Sequence, residues 1–216
     1  MTGPSNHPYQ MIPPLLGSHN LPQEEQEAAR FVEHGLSNLD SHCGSFEIAL
    51  WLYRDSRAKF DTYTKSPSGK FVYPSISMIA ARAAATAVFL MDEEMEHIKI
   101  NLNACRTLAA LHDAEKRRAA TTAFARYFPN FEGPRHSAQH GPKMYGTPDA
   151  VAENCAVPNI VIASVLQGDT LISEYKKKPA ALPITEESLA NLRDVRDRYW
   201  TAFVVTGRNT LVPYPQ

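Results

Sequence analysis

Apolar residues recur at helical spacing along most of the first third of the chain. Residues 22–39 carry them three or four positions apart behind a proline and an acidic first turn, which predicts a helix. Residues 46–60 show the same spacing after Ser45, a residue type that favours helix N-caps. We interpret His42-Cys43-Gly44 as a break between these two helices and the segment 66–69 as the turn that follows the second.

The strongest periodic segment opens at Pro74-Ser75 and predicts a long core helix that runs to about residue 102. Its apolar stripe is predicted to contain Ile76, Ile79, Ala80, Ala83, Ala87, Leu90, Met91, Met95, Ile98 and Leu102. The alanines between positions 80 and 87 offer a surface of small side chains that lets a neighbouring helix approach closely. A further helix is predicted over 112–127, where Pro129 stops it.

The spacing changes from helical to strand-like after Pro158. Two apolar segments on either side of Gly168-Asp169 predict a β-hairpin, and residues 181–184 are a candidate third strand. These segments contain Ile160, Val161, Ile162, Val165 and Leu166, and then Thr170, Leu171, Ile172 and Tyr175. Thr185 is placed to cap a last helix over 186–205. The predicted fold class is therefore mainly α, a helical bundle with a small antiparallel β-hairpin or sheet inserted before its last helix.

A chain of 216 residues is long enough for one domain with its own hydrophobic core. We expect a proline-rich, loosely ordered N-terminal arm over 1–20, a single helical-bundle domain over 21–207 and a C-terminal tail over 208–216. The arm has neither the basic start nor the sustained apolar stretch of a secretory signal.

Cysteine usage and hydropathy predict a cytoplasmic protein. Cys43, Cys105 and Cys155 are widely spaced and form no CxxC pair, which favours a reducing compartment and buried structural thiols. The longest apolar stretches are interrupted by Arg82 and by the acidic residues 92–94, so no segment approaches the roughly 20 apolar residues of a membrane span. We therefore expect no membrane partner.

The formal net charge of −1 gives no long-range attraction for polyanions, which argues against binding of long duplex DNA by charge alone. Two short basic runs are left as candidates for local nucleic-acid contact, Lys116-Arg117-Arg118 and Lys176-Lys177-Lys178. The alternative for both is a solvated face, the usual role of a short charge run.

The segment 133–142 is short, polar and bounded by Gly133-Pro134 and Gly141-Pro142, residue types that interrupt helices. We expect one or two helical turns between these ends, which would present Arg135, His136 and His140 beside one another. Histidine exchanges protons near neutral pH, whereas arginine stays charged and binds phosphate. A helix start adds partial positive charge, so the group suits a phosphodiester, attacked by the neighbouring ribose 2′-hydroxyl without a metal.

Spacing alone is weak support for this site, since 13 Arg and 8 His in 216 residues give an Arg-x4-His spacing about 0.5 times by chance. The hexapeptide Arg135-His136-Ser137-Ala138-Gln139-His140, however, resembles the motif of the HEPN superfamily of helical domains. Diffuse similarity extends over about 46–203, including Tyr53-Arg54-Asp55-Ser56, Ala80-Ala81-Arg82 and Tyr127-Phe128-Pro129.

The resemblance implies a four-helix up-and-down bundle, often dimeric, in which two copies of the motif meet in one cleft. Many members are metal-independent ribonucleases of toxin–antitoxin and phage-defence systems, and others are inactive. The family's arginine, polar residue and histidine fall on Arg135, His136 and His140. Pro134 and Gly141-Pro142 depart from the pattern, because they are expected to shorten the motif helix, and the inserted hairpin is a second departure.

Two further function classes stay open. A HEPN-like chain without activity would serve as a dimerisation or protein-interaction module, with an antitoxin or another protein as partner. An unrelated helical enzyme would instead hold a small molecule in a deep apolar pocket.

No cofactor is expected. No metal is expected either, because Glu94 and His97 form a single Glu-x-x-His pair whereas a di-iron bundle needs two. Trp51 and Trp200 are expected to be core or interface anchors, and Arg54-Asp55 a helix-surface pair.

Overall fold

The computed structural model describes residues 13–63, 69–156 and 164–203. Outside these ranges lie the first 12 residues of the predicted arm, most of the predicted turn at 66–69, the predicted strand residues 160–162 and the predicted tail over 208–216. The described part is mainly helical, with a three-stranded antiparallel sheet before the last helix. The predicted fold class is confirmed at this level; the domain boundaries stay predictions.

The first two helices form a long antiparallel pair. Helix α1 spans Gln23–Tyr63 and α2 spans Gly69–Ala104. Their register is marked at one end by Gly35, whose position approaches Ile98, and at the other by a 2.7 Å hydrogen bond between the Ser56 and Ser77 hydroxyls. The pair therefore stays in contact over most of its length and forms the main part of the core.

The predicted break at His42-Cys43-Gly44 is wrong, because α1 runs through it as one helix of 41 residues. Cys43 and Phe46 are both buried, so the apolar face continues across the supposed break and packs on α2. Ser45 does not cap a second helix; its hydroxyl donates to the Ser41 carbonyl one turn earlier. Packing against α2 outweighs the local preference of Gly44 for a helix end.

Helix α2 begins before the predicted start, and Pro74 lies inside it. Pro74 is the sixth residue of α2, so it lacks the N–H that would bond to the carbonyl one turn earlier, and the helix continues without that hydrogen bond. Six of the ten residues in the predicted stripe are buried, but Ile79 is 61% and Leu90 41% exposed. The alanines take their place against α1, as the small-residue surface predicted; Ala80, Ala81, Ala84 and Ala85 are fully buried.

Four shorter helices follow α2: α3 (Arg106–Leu111), α4 (Ala114–Tyr127), α5 (Glu132–Tyr145) and α6 (Pro148–Asn154). Helix α4 starts where Asp113 accepts hydrogen bonds from two backbone N–H groups and ends before Pro129, close to the predicted bounds. The carboxylate of Glu25, on α1, accepts from the backbone N–H of Thr107 at 3.1 Å and so caps α3 from outside. Helices α3 and α6 were not predicted.

The sheet consists of β1 (Val165–Gln167), β2 (Thr170–Tyr175) and β3 (Lys178–Pro183), with β2 in the centre. The hairpin turn at Gly168-Asp169 and the third strand are confirmed, although β3 starts three residues before the predicted 181. The Tyr53 hydroxyl donates to the Gly168 carbonyl at 2.7 Å and thereby fastens the β1–β2 turn to α1. The β2–β3 turn places Lys176 and Lys177 at φ 49° and 62°.

The last helix, α7, spans Glu186–Thr201 and is capped by Thr185 as predicted. It packs on α1 and α4 through a buried face that ends in Tyr199 and Trp200. The Trp200 indole donates to the Leu36 carbonyl of α1 at 2.9 Å, and the Tyr199 hydroxyl donates to the Met95 carbonyl of α2 at 3.1 Å. Helix α7 is therefore hydrogen-bonded to both members of the antiparallel pair.

The described end of the N-terminal arm is docked rather than loose. Leu16 is fully buried, and residues Ser18–Asn20 form a 3-10 turn beside α1. The Glu33 carboxylate accepts from the Leu16 N–H and, at 2.6 Å, from the Ser18 hydroxyl. A carboxylate that satisfies several donors holds this segment in one conformation.

By length and composition, the Pro74–Ala104 segment of α2 is able to cross a membrane, contrary to the expectation that no segment approaches a span. Its most apolar 18-residue window has a mean hydropathy of 1.4, and 44% of that window is buried within the structure. The buried part includes the alanines and Val88 that pack on α1, so the hydropathy is typical of a core helix.

Candidate functional site

The predicted motif lies on α5, which packs between the sheet and α2. The helix has 14 residues and continues through Gly141-Pro142, so the predicted stop there is wrong and the motif helix is not short. Contact with β2 and β3 supports α5 where the local sequence favours an interruption. Gly133 permits this contact, because a Cβ there would lie 2.5 Å from the Cβ of Ala180 on β3.

Arg135 is half-buried against an aromatic ring. Its guanidinium carbon lies 4.0 Å from the ring centroid of Phe89, on α2, in a cation–π contact. Its Nη1 is 3.3 Å from Nδ1 of His136, whereas its buried Nε has no hydrogen-bond partner. Within the described residues no carboxylate pairs with this guanidinium, so its charge stays available to an anion.

His136 is stacked on Tyr175, the last residue of β2. The two ring centroids are 4.7 Å apart and the rings are inclined by 16°, while Phe89 meets the imidazole edge-on at 6.1 Å. A guanidinium only donates hydrogen bonds, so the contact with Arg135 requires a lone pair on Nδ1 of His136.

His140 lies on the same helix, five positions after Arg135. Successive residues of an α-helix are about 100° apart, so the backbone of residue 140 is about 140° around the axis from Arg135 and about 40° from His136. The side chain of His140 lies outside the described part of the structure. The structure thus brings Arg135 and His136 together, and the convergence of His140 with them stays a prediction.

A cavity of about 330 Å³ opens between the start of α5 and the β2–β3 turn. Asn130–Gly133 line one side, and Tyr175, Lys176, Lys178 and Ala180 line the other. Lys176 Nζ lies 4.9 Å from the centroid of the Tyr175 ring. Because Tyr175 also contacts His136, this cavity adjoins the predicted motif.

Sequence reasoning missed Phe89 and Tyr175, the two rings that hold Arg135 and His136. Tyr175 immediately precedes the lysine run that we considered for nucleic-acid contact, which was the available signal. The sequence contains no such signal for Phe89, because one aromatic residue in an apolar helix is ordinarily a core residue.

The other candidate groups have structural partners. Glu94 accepts from the Asn38 amide at 3.2 Å and lies 3.9 Å from His42. Among the residues that the structure describes, no group of three or more His, Cys, Asp or Glu side chains could hold a metal ion. All three cysteines are buried and none forms a disulfide, and burial raises the pKa of the Cys43 thiol to about 12.

Surface pairs account for several predicted positions. Arg54 forms an ion pair with Glu186 of α7, and Asp55 one with Lys59 at 2.7 Å, so both residues lie on the surface as expected but each pairs with another residue. Trp200 is a core residue, whereas Trp51 is 66% exposed. Trp51 and Ile48 line a groove of about 490 Å³ between α1 and the start of α7.

No family model, no curated protein and no solved structure matches this chain. The likeness to HEPN domains therefore rests on the quoted residues.

Proposed function

We propose that the protein is a HEPN-like, metal-independent endoribonuclease of the toxin or phage-defence type. The observation that carries the proposal is the contact of Arg135 with His136 on α5, in which the guanidinium has no carboxylate partner among the described residues. A positive group left without an internal anion, beside an imidazole and near a cavity, suits a phosphodiester substrate.

In the proposed reaction His140 acts on protons and Arg135 stabilises charge. The imidazole of His140 accepts the proton of the ribose 2′-hydroxyl, whose oxygen forms a bond to the adjacent phosphorus. The bond from phosphorus to the 5′-oxygen breaks, and the protonated imidazole of His140 returns a proton to that oxygen. The products are a 2′,3′-cyclic phosphate and a free 5′-hydroxyl. Arg135 would bind the charge that grows on the phosphoryl oxygens, with His136 as an accessory group.

The contacts of Arg135 and His136 give these roles a physical basis. Stacking on Tyr175 and contact with Phe89 limit the orientations of both side chains, so less entropy is lost when a phosphate binds.

The test is cleavage of an oligonucleotide that contains one ribonucleotide among deoxyribonucleotides, assayed with EDTA present and analysed by mass spectrometry. We expect a cut only after the ribonucleotide, with the mass of a cyclic phosphate on the upstream product. His140→Ala and Arg135→Ala are each expected to lower the rate at least about 100-fold, as removal of a proton-transfer or charge-stabilising group does. His136→Phe, which keeps the ring stack, is expected to have a smaller effect.

Matched controls come from α5 itself. Lys143→Ala removes one exposed positive charge from the same helix, and Gln139→Ala changes the residue before His140. Both are expected to keep wild-type activity. Equal cleavage by wild type and His140→Ala, or a cut that needs a divalent metal, would refute the proposal.

A second candidate function is a non-catalytic HEPN-like module that dimerises or binds a protein such as an antitoxin. The groove beside Trp51 favours it, because Ile48 and Trp51 are 68% and 66% exposed next to each other on α1. For this candidate we expect a homodimer that Trp51→Glu converts to a monomer, measured by light scattering. A mass of one chain in both proteins would count against it.

We further propose a cytoplasmic location, where an RNA substrate is present and free thiols are stable. The three cysteines, Cys43, Cys105 and Cys155, are buried and form no disulfide, which supports this proposal. Fractionation of cells that express the protein tests it.

A further inference from the structure

The cavity beside α5 combines features that suit a phosphate of a nucleic-acid strand. Lys176 and Lys178 are two cations on its wall, and Tyr175 supplies an aromatic ring. Glu132 is the acidic residue among the lining side chains, so the lysines outnumber the carboxylate. Gly133 and Ala180 line the cavity where α5 packs closely on β3.

The turn that carries these lysines has an unusual backbone. Lys176 and Lys177 have φ values of 49° and 62°, in the left-handed region where turns of this kind ordinarily use Asn or Gly. For a residue with a Cβ this conformation is less favourable than the right-handed one. Strain of this kind commonly marks a functional position, and here it places Lys176 at the cavity.

The cavity is close enough to the Arg135 site to take part of the same strand. His136 and Lys176 both contact the Tyr175 ring, at 4.7 and 4.9 Å from its centroid, so the imidazole and the Nζ lie within about 10 Å of each other. A short stretch of one strand, no more than a few nucleotides, is therefore long enough to reach from one group to the other.

We infer that the cavity is a second phosphate subsite, in which Lys176 and Lys178 bind the backbone of a single-stranded RNA whose scissile phosphate lies at Arg135. The inference rests on the proposed function for the scissile position and adds the path of the strand. Single-strand sites of other proteins combine a basic groove with aromatic rings in this way. The strand passes over the β2–β3 turn and the start of α5, and Glu132 weakens its binding.

Binding is measured separately from cleavage with a fluorescent 2′-O-methyl oligoribonucleotide, which has no 2′-hydroxyl to attack the phosphate. The structure offers a matched pair of variants, Lys176→Gly and Lys177→Gly. Both remove one lysine from the same turn and both place glycine at a positive φ, but only Lys176 lines the cavity. Neither is expected to unfold the protein, since glycine adopts this conformation readily.

We expect Lys176→Gly and Lys178→Ala each to weaken binding about fivefold or more at low salt and to reduce the salt slope of log K by about 0.7. Lys177→Gly is expected to change affinity less than about twofold, and Glu132→Gln to tighten binding. An equal effect of Lys176→Gly and Lys177→Gly, or no binding of the oligonucleotide by wild type, overturns the inference. Saturation by inorganic phosphate in calorimetry without oligonucleotide binding also overturns it, because the site then takes a free anion.

The two proposals fail separately. The expected binding pattern without any cleavage of RNA refutes the nuclease and leaves the subsite. Cleavage that depends on His140, together with unchanged binding by Lys176→Gly and Lys178→Ala, refutes the subsite and leaves the nuclease.

Discussion

Two glycines of α1, Gly35 and Gly44, differ in the space around them, and substitutions there test how closely this helix packs on α2. Gly44 lies in the segment that the sequence marks as a break, yet the structure continues the helix through it, and a Cβ added there meets no atom within 4 Å. Gly35 lies nine residues earlier on the same helix, and a Cβ there would lie 2.5 Å from Cγ1 of Ile98 and 2.9 Å from Oε1 of Glu94. The same substitution, glycine to alanine, should therefore act in opposite directions at the two positions.

The magnitudes follow from these contacts. Alanine in a helix interior is favoured over glycine by about 1 kcal/mol, and Gly44→Ala should gain all of it. Gly35→Ala gains the same amount but forces Ile98 away from α1, and such overpacking costs about 1–3 kcal/mol. The net change in the free energy of unfolding is about 1 kcal/mol upward for Gly44→Ala, and between about zero and 2 kcal/mol downward for Gly35→Ala.

The assay is thermal and urea denaturation followed by circular dichroism at 222 nm. A change of 1 kcal/mol shifts the Tm of a chain of this size by about 2–4 °C, so the two variants should melt on opposite sides of wild type. A lower Tm for Gly44→Ala would refute the reasoning, because it would mean that position 44 has a backbone conformation that only glycine adopts easily. A Tm for Gly35→Ala equal to that of Gly44→Ala would show that α1 and α2 are not in close contact there.

Three other predictions follow from the described residues. Lys177→Gly should raise the free energy of unfolding by about 1 kcal/mol in urea, because it relieves a positive φ of 62°; an unchanged midpoint would contradict the turn geometry. Burial holds the pKa of His42 below its ordinary value although Glu94 lies beside it, so the unfolded state binds more protons and stability should fall as the pH drops below about 6.5. His42→Gln should lose that part of the pH dependence. Identical profiles of unfolding free energy against pH for wild type and His42→Gln would contradict this prediction. Ellman's reagent should label none of the three thiols in the native protein and all three in guanidinium chloride, because all three are buried and burial also raises the pKa of Cys43 to about 12.

Sequence reasoning succeeded where the local signal and the packing agree. Thr185 followed by two acidic residues predicts the start of α7, and Gly168-Asp169 between apolar segments predicts the first hairpin turn; both are present. It failed where packing overrides the local signal. Gly44 and Gly141-Pro142 favour interruptions, but α1 is held by α2 along one face and α5 by the sheet, so both helices continue.

The candidate site was predictable only in part, for a related reason. The hexapeptide identified Arg135 and His136, which are neighbours in sequence and contact each other. Phe89 and Tyr175 lie on other elements, 46 and 39 positions away from the residues they contact, and no periodicity in one sequence indicates such pairs. The predicted stripe of α2 is correct for most of its residues, but it wrongly includes Ile79 and Leu90, because large apolar residues were favoured over neighbouring alanines whereas close helix contact requires the small side chains.

The hydrogen bonds from α7 have a consequence for the order of folding. The α1–α2 pair brings together elements that follow one another in the chain, whereas Tyr199 reaches Met95 over 104 positions and Trp200 reaches Leu36 over 164. Closing loops of that length slows the steps that depend on them, so the nascent chain should assemble its first helical hairpin before the carboxyl-terminal part has left the ribosome. In native-state hydrogen exchange, α7 is then expected to open at a lower free energy than the middle of α1.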